Sequence, residues 1–175
     1  MEVWQLVLLI LLIVGFFYVI VILVTATHGL EFHGRLRRRV EALSIVMAEK
    51  QRLLLSAYAR LEAMGVKLSQ EEQERLESIS RIDFERMNHK EAKLALDQLK
   101  SVASRLSLLL QGNRWATKDE QIRRDLSELK ENELSIRSGT SAYNAEAVAL
   151  NYWLSIPTAG WINYLFGIRK RGPIA

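Results

Sequence analysis

The sequence contains no cysteine, and this absence excludes several kinds of chemistry at once. Without thiols the chain has no disulfide bonds, no thiolate nucleophile and no cysteine-ligated metal. It also has no glycine-rich phosphate loop, no His-Glu-x-x-His motif and no serine nucleophile elbow. We therefore expect no catalytic residues, no metal ligands and no cofactor, and no small-molecule substrate is evident.

The histidines and the acidic residues give little reason to expect an enzyme. His28 and His33 are five residues apart, a spacing that does not place them on one helical face. We interpret them as polar residues at a membrane interface. The acidic run at 71–77 falls in the first turns of a predicted helix, where the helix dipole favours carboxylates.

Charged residues are absent from the whole of segment 3–24, VWQLVLLILLIVGFFYVIVILV. As a helix this segment would be about 33 Å long, enough to cross a hydrocarbon core of about 30 Å. The alternative is a cleaved signal peptide, which has a basic start, a shorter apolar run and a small-residue cleavage site. The only charge before the segment is Glu2, so the sequence favours an uncleaved membrane anchor.

Basic residues follow the apolar segment and are absent before it. Of 24 basic and 20 acidic residues only Glu2 lies within 1–29, so the rest of the chain has a net charge of +5. Directly after the segment comes a basic cluster, which consists of Arg35, Arg37, Arg38 and Arg39. Because basic loops stay in the cytoplasm, we expect the N-terminus outside and the large C-terminal part inside. The cluster also suits anionic lipid headgroups. No aromatic residues interleave with it, so we expect no nucleic-acid binding.

Helical periodicity dominates the remainder of the sequence, which shows no alternating strand pattern, internal repeat or low-complexity linker. Apolar residues recur at alternating steps of three and four residues over 36–64, 92–110 and 122–154. Lys50 interrupts the first of these seams, and Glu133 and Thr140 interrupt the last. Such seams are typical of helices packed side by side. We predict an all-α fold with an N-terminal transmembrane helix and an antiparallel up-and-down bundle of four helices or three long ones.

Local signals predict the first two helix boundaries. Gly65 ends the first predicted helix. Ser69 and Glu72 form a capping box for the next helix, because each side chain satisfies a backbone donor of the other residue.

Further signals predict the later boundaries. The periodicity changes phase in the eighties, which indicates a bend or loop with Asn88 as a helix cap. One helix and two helices over 70–111 are both compatible with this pattern. Thr117 and Glu120 are predicted to form another capping box, and Pro157 is predicted to stop the last long helix.

An aromatic and basic segment closes the sequence. We predict a short helix from about Thr158, with Gly167 as its left-handed cap. Its apolar face is predicted to comprise Trp161, Tyr164, Leu165 and Ile168, widened by Ile162 and Phe166. The basic residues that follow are Arg169, Lys170 and Arg171. This arrangement suits a helix in the membrane interface, and packing of the same face on the end of the bundle is the alternative.

Asn144 and Asn151 are seven residues apart, so they lie on one edge of the last seam. Hydrogen bonding that fixes the register of neighbouring helices is one interpretation. A polar strip that binds a protein partner is the other. The whole pattern predicts three parts: an outer N-terminus and transmembrane helix over 1–29, a cytoplasmic helical bundle over 30–157, and an amphipathic tail over 158–175.

The last third of the chain combines a predicted long helix, a Tyr-Asn pair, a proline and a Leu-Phe-Gly motif. Its residues are Glu133, Ile136, Tyr143, Asn144, Val148, Asn151, Pro157, Ile162, Leu165, Phe166 and Gly167. Over 126–168 the chain resembles the LemA family of bacterial membrane-anchored helical proteins. The resemblance implies a helical bundle behind a single transmembrane helix, located in the bacterial inner membrane. The family has no established enzymatic activity, so the resemblance implies no catalytic role.

Two functions of different classes are compatible with these features. The first is a non-enzymatic, membrane-anchored scaffold or adaptor of the LemA type, which binds an unidentified protein partner or associates with itself. The second is a membrane-surface or membrane-remodelling protein, which acts on the lipid bilayer through the basic cluster after the apolar segment and through the aromatic tail over 158–175.

Overall fold

The computed structural model describes residues 3–85 and 87–174, and over these ranges the chain is helical without any strand. The elements are α1 (Val3–Ala63), α2 (Gln70–Ser80), α3 (His89–Gly112), a 3₁₀ turn (Ala116–Lys118), α4 (Glu120–Ser155) and α5 (Pro157–Leu165). The predicted all-α class is confirmed.

The first helix, α1, continues without a break for 61 residues. Its N-terminal part is long and apolar enough to cross a membrane, and the rest of the chain buries none of the side chains in this window. Every residue from Val3 to Val21 is exposed. Exposure of this apolar surface to water is unfavourable by about 25 cal/mol per Å².

The predicted caps of α2 and α3 are present. The Ser69 hydroxyl accepts a hydrogen bond from the Glu72 N–H at 3.3 Å, and the Glu72 carboxylate accepts one from the Ser69 N–H at 2.8 Å. Asn88 and Glu91 form the same reciprocal arrangement at the start of α3. Residues 70–111 therefore form two helices, with the break in the eighties where the periodicity changes phase.

The predicted capping box of Thr117 and Glu120 is wrong. Residues Ala116–Lys118 form a 3₁₀ turn, so the cap of α4 lies two residues later than predicted, at Asp119. The Asp119 carboxylate accepts hydrogen bonds from two backbone N–H groups of the first turn, at 3.0 and 3.1 Å. An aspartate is as good a cap as a threonine, and the 3₁₀ turn decides between them.

The chain divides into two compact units, which share α1 and α4. We call Met1–Arg37 with Ala145–Pro173 the anchor unit, and Arg38–Asn144 with Ile174–Ala175 the core unit. The division places α5 in the same unit as the apolar part of α1.

The predicted seams fill the interior of the core unit. Its fully buried side chains include Leu43, Met47, Leu54, Leu61, Leu96, Leu99, Leu106, Ile122 and Ile136. Leu126 and Leu129 belong to the predicted seam of α4 but are only half-buried. A substitution that tests this seam should therefore be made at Ile122 or Ile136.

Polar side chains inside the core unit connect one helix to another. Lys50, on α1, forms an ion pair with Glu133, on α4, so the charged interruptions of two predicted seams are partners of each other. The Tyr58 hydroxyl donates to the Val102 carbonyl oxygen at 3.2 Å. Burial, followed by the negative charge of Glu72, raises the pKa of Tyr58 to about 12, so the phenol is neutral near pH 7.

Candidate membrane-proximal site

The last helix, α5, is bounded by a proline and a glycine. Pro157 occupies its first turn, where the missing N–H costs nothing. At the other end Gly167 has a φ of +72°, and the N–H of Ile168 donates to the Asn163 carbonyl oxygen at 3.0 Å. This geometry confirms the predicted left-handed cap, because a side chain at this φ would be strained.

The two sides of α5 differ in exposure. The buried side comprises Ala159, Ile162 and Asn163. The opposite side comprises Trp161, Tyr164 and Leu165, and Phe166 follows directly after the helix; these residues are 59, 64, 65 and 52% exposed. We call these four residues the exposed aromatic face. Ile168 was predicted to share this face but is buried, because the helix ends at Leu165 and Gly167 reverses the chain.

Gly29 of α1 lies directly against α5. A Cβ atom at Gly29 would overlap the side-chain amide of Asn163 and lie 3.0 Å from Ile168 Cδ1. Asn163 is completely buried and donates to the Ala159 carbonyl oxygen at 2.8 Å. Its Oδ1 has no hydrogen-bond partner among the described residues. It faces the Gly29 backbone, where a Cα–H···O contact is available.

The covered side of α1 extends into the end of the apolar segment. Thr25 and Ala26 are buried, and Ile22 is half-buried, one and two helical turns before Gly29. His28 makes an edge contact with the Trp153 ring, with 6.0 Å between the ring centroids. Residues of α4 and α5 therefore pack against the turn of α1 that follows the apolar segment.

Asn151 holds the chain that follows α5. Its side-chain Nδ2 donates to the Arg171 carbonyl oxygen at 2.7 Å, and its Oδ1 accepts from the Arg171 N–H at 2.9 Å. In the core unit the Asn144 Oδ1 accepts from the Ile174 N–H at 3.0 Å, and Ile174 is completely buried. The structure thus brings both predicted asparagines to the backbone of the chain's own C-terminal residues.

The partners of the two asparagines are backbone groups of Arg171 and of Ile174. The sequence holds no signal for such partners, since any residue offers the same backbone groups.

The predicted basic residues differ in their contacts. The Arg35 Nε atom lies 3.2 Å from the Glu146 carboxylate, and its guanidinium lies 4.4 Å from the Phe32 ring centroid. The Arg169 guanidinium lies 6.0 Å from the Tyr164 ring centroid. The exposed basic residues of the predicted set are Arg37, Arg38, Arg39, Arg169 and Lys170.

His33, just before the basic cluster on α1, contacts Arg171 of the C-terminal segment. Its Nδ1 lies 3.5 Å from Arg171 Nη2. Burial, followed by the positive charges of Arg171 and Arg37, lowers the pKa of His33. The lowered pKa favours the neutral ring, whose Nδ1 accepts a hydrogen bond from the guanidinium in the tautomer that is protonated at Nε2.

Comparison of the chain with family models, with curated proteins and with solved structures finds no match. The resemblance to the LemA family stays a prediction. Among residues 3–85 and 87–174 no three acidic or histidine side chains come together as metal ligands would.

Gly29 and Asn163 were not predicted from the sequence as contacting residues. A glycine inside a helix is less stable than alanine by about 1 kcal/mol, so its presence is a weak signal for close packing. The signal is not specific, because Gly15 and Gly34 lie in the same helix and have open space around them.

Proposed function

We propose that the protein is a non-enzymatic, membrane-anchored helical scaffold or adaptor. The observation that carries this proposal is that polar side chains inside the core unit bind other helices of the same unit. Lys50 and Glu133 pair across two helices, and Asn132 donates to the Val46 carbonyl oxygen at 2.9 Å. Ser56 donates to the Asp125 carboxylate, also at 2.9 Å. These groups hold helices together, and α1 supplies a segment suited to a membrane.

We infer that the helices of the core unit form an antiparallel up-and-down bundle. Contacts between α1 and α4 support this inference, because the residue number falls on α4 as it rises on α1. The contacting pairs are Val46 with Asn132, Ser56 with Asp125, and Arg60 with Asp119. Short connections between consecutive helices are typical of this topology.

The proposed location is the bacterial inner membrane, with one membrane crossing and the core unit in the cytoplasm. The resemblance to the LemA family supports location in this membrane. The basic cluster after the apolar segment supports the cytoplasmic position of the core unit. The proposed partners are the bilayer and either another protein or a second copy of the chain.

Orientation is testable with reporter proteins fused after the last residue. We expect an alkaline phosphatase fusion to be inactive and a fluorescent cytoplasmic reporter to be active, because the basic side stays inside. Exchange of Arg35, Arg37, Arg38 and Arg39 for asparagine, with lysines added before Trp4, should invert or mix the orientation. An active phosphatase fusion of the unchanged chain would contradict the proposed orientation.

Scaffold function is testable by crosslinking in intact membranes followed by purification of the full-length protein. We expect a protein partner or a second copy of the chain in constant proportion. Purification of the protein with enriched lipid and without a constant protein partner would overturn the scaffold proposal.

A second candidate function is direct action on the bilayer, as a membrane-surface or membrane-remodelling protein. The observation that favours it is the exposed aromatic face of α5, a helix that packs against Gly29, five residues after the apolar segment. Lipid enrichment without a protein partner in the crosslinking experiment would support this candidate.

A further inference from the structure

We propose that the exposed aromatic face of α5 inserts into the headgroup region of the bilayer, and that the Gly29–Asn163 contact holds α5 in this position. The partner is the lipid itself, contacted through aromatic and aliphatic side chains. The proposal rests on the proposed membrane anchoring by α1 and does not depend on a scaffold function.

The first argument is the composition of the exposed face. Trp161, Tyr164, Leu165 and Phe166 are each more than half exposed, although four large apolar side chains are adjacent there. A contiguous apolar surface of this kind marks a binding surface. Tryptophan and tyrosine are enriched where a membrane meets water, because their rings are apolar and carry one polar group.

The second argument is the position of α5 along α1. The apolar segment 3–24 ends at Val24, and Gly29 lies five residues later, which is about 7.5 Å along the helix axis. The headgroup layer on each side of the hydrocarbon core is about 5–8 Å thick. A helix docked at Gly29 is therefore at the depth of the headgroups.

The third argument is continuity with the surface that faces lipid. On the covered side of α1 burial begins at Ile22, inside the uncharged segment, while residues 3–21 are entirely exposed. Because α5 packs against Gly29, it lies just beyond the end of a surface that contacts acyl chains in the proposed anchored state. The bilayer is the occupant that is always present at this position.

The fourth argument is the charge beside the exposed aromatic face. The Arg169 guanidinium lies 6.0 Å from the Tyr164 ring centroid, and Lys170 is exposed next to it. Cations beside an apolar helix face strengthen its binding to anionic lipid surfaces. This distribution agrees with insertion of the rings while the charges remain among the headgroups.

The Gly29–Asn163 contact explains how a nine-residue helix keeps one orientation. A helix this short is marginally stable alone, so α5 depends on packing. Because any side chain at residue 29 would overlap Asn163, glycine permits the approach that buries Ala159, Ile162 and Asn163. The opposite side is then the one presented to lipid.

The experiment requires the full chain, since a fragment that begins at residue 30 lacks Gly29, Ala26 and Thr25. The chain has no cysteine, so a single introduced cysteine gives one labelled position. Leu165→Cys is compared with Leu94→Cys, because these leucines are 65 and 62% exposed and Leu94 lies on α3 in the core unit. Each variant carries an environment-sensitive nitrobenzoxadiazole label in vesicles of phosphatidylcholine and phosphatidylglycerol with nitroxide-labelled lipid.

We expect nitroxide lipid to quench the label at residue 165 at least about twofold more than the label at residue 94, with blue-shifted emission at 165. Equal quenching at the two positions would overturn the insertion. Energy transfer between labelled copies without lipid quenching would assign the face to a second copy of the chain and would also overturn it. Failure of the unlabelled chain to float with vesicles would overturn both this proposal and membrane anchoring.

The Gly29 contact has its own matched pair of variants. Gly29→Ala should make backbone hydrogen exchange in α5 about tenfold faster, because the buried Asn163 has to move. Gly34→Ala should leave it unchanged, since nothing lies within 4 Å of a Cβ there. Exchange of the core unit reports that both variants are folded. Unchanged exchange of α5 in Gly29→Ala would show that this contact does not hold the helix. The vesicles contain no other protein, so neither result depends on the scaffold proposal.

Discussion

Replacement of Glu133 by alanine is expected to lower the free energy of unfolding by about 3 kcal/mol. The partner of Glu133 is Lys50, whose side chain is only 2% exposed, so the substitution leaves an ammonium group buried without its counter-ion. Glu133 itself is 33% exposed, which places the effect at the lower end of the range for broken buried pairs. Thermal unfolding of the full-length protein in micelles, followed by circular dichroism, should show a Tm lower by about 6–12 °C.

Two further variants make this result specific. Glu77→Ala removes an exposed ion pair with Arg81 and should change stability by less than about 0.5 kcal/mol. The double variant Lys50→Met with Glu133→Leu replaces both charges by apolar groups and should recover most of the lost stability. A Glu133→Ala effect no larger than that of Glu77→Ala would refute a structural role for the buried pair.

Asn151→Ala is expected to release the C-terminal segment from α4. The substitution removes both hydrogen bonds to the Arg171 backbone, which together contribute about 2 kcal/mol. Because each 1.4 kcal/mol is a factor of ten, the amide of Arg171 should exchange with solvent about 30-fold faster. Hydrogen exchange of the peptide that covers residues 169–173 measures this change.

Asn113→Ala is the matched control for this measurement. Its side chain donates to the Leu109 carbonyl oxygen within its own helix end, so its loss should not alter exchange at Arg171. The Asn144→Ala variant should instead accelerate exchange at Ile174. If Arg171 exchanges at the parent rate in Asn151→Ala, the two hydrogen bonds do not hold the segment.

Features that depend on neighbouring residues could be predicted from the sequence. The uncharged segment, the capping box of Ser69 and Glu72, the cap at Asn88 and the left-handed Gly167 all involve residues within a few positions of one another. Capping satisfies backbone groups of the first or last turn, so its signals are local. The capping error at Thr117 arose because a 3₁₀ turn and a helix start compete for the same few residues.

The sequence by itself determined the helical class, an uncharged segment long enough for a membrane, and most helix ends, because period, charge and caps are properties of short stretches. Only the tertiary structure decided which distant groups meet. Lys50 was visible as an interruption of a seam, but its partner Glu133 lies 83 residues away. The partners of Asn151 are backbone atoms of Arg171. Gly29 contacts Asn163 because it has no Cβ atom that would overlap the asparagine. Backbone atoms are the same in nearly every residue, and a missing side chain leaves no chemical group, so neither contact has a sequence pattern.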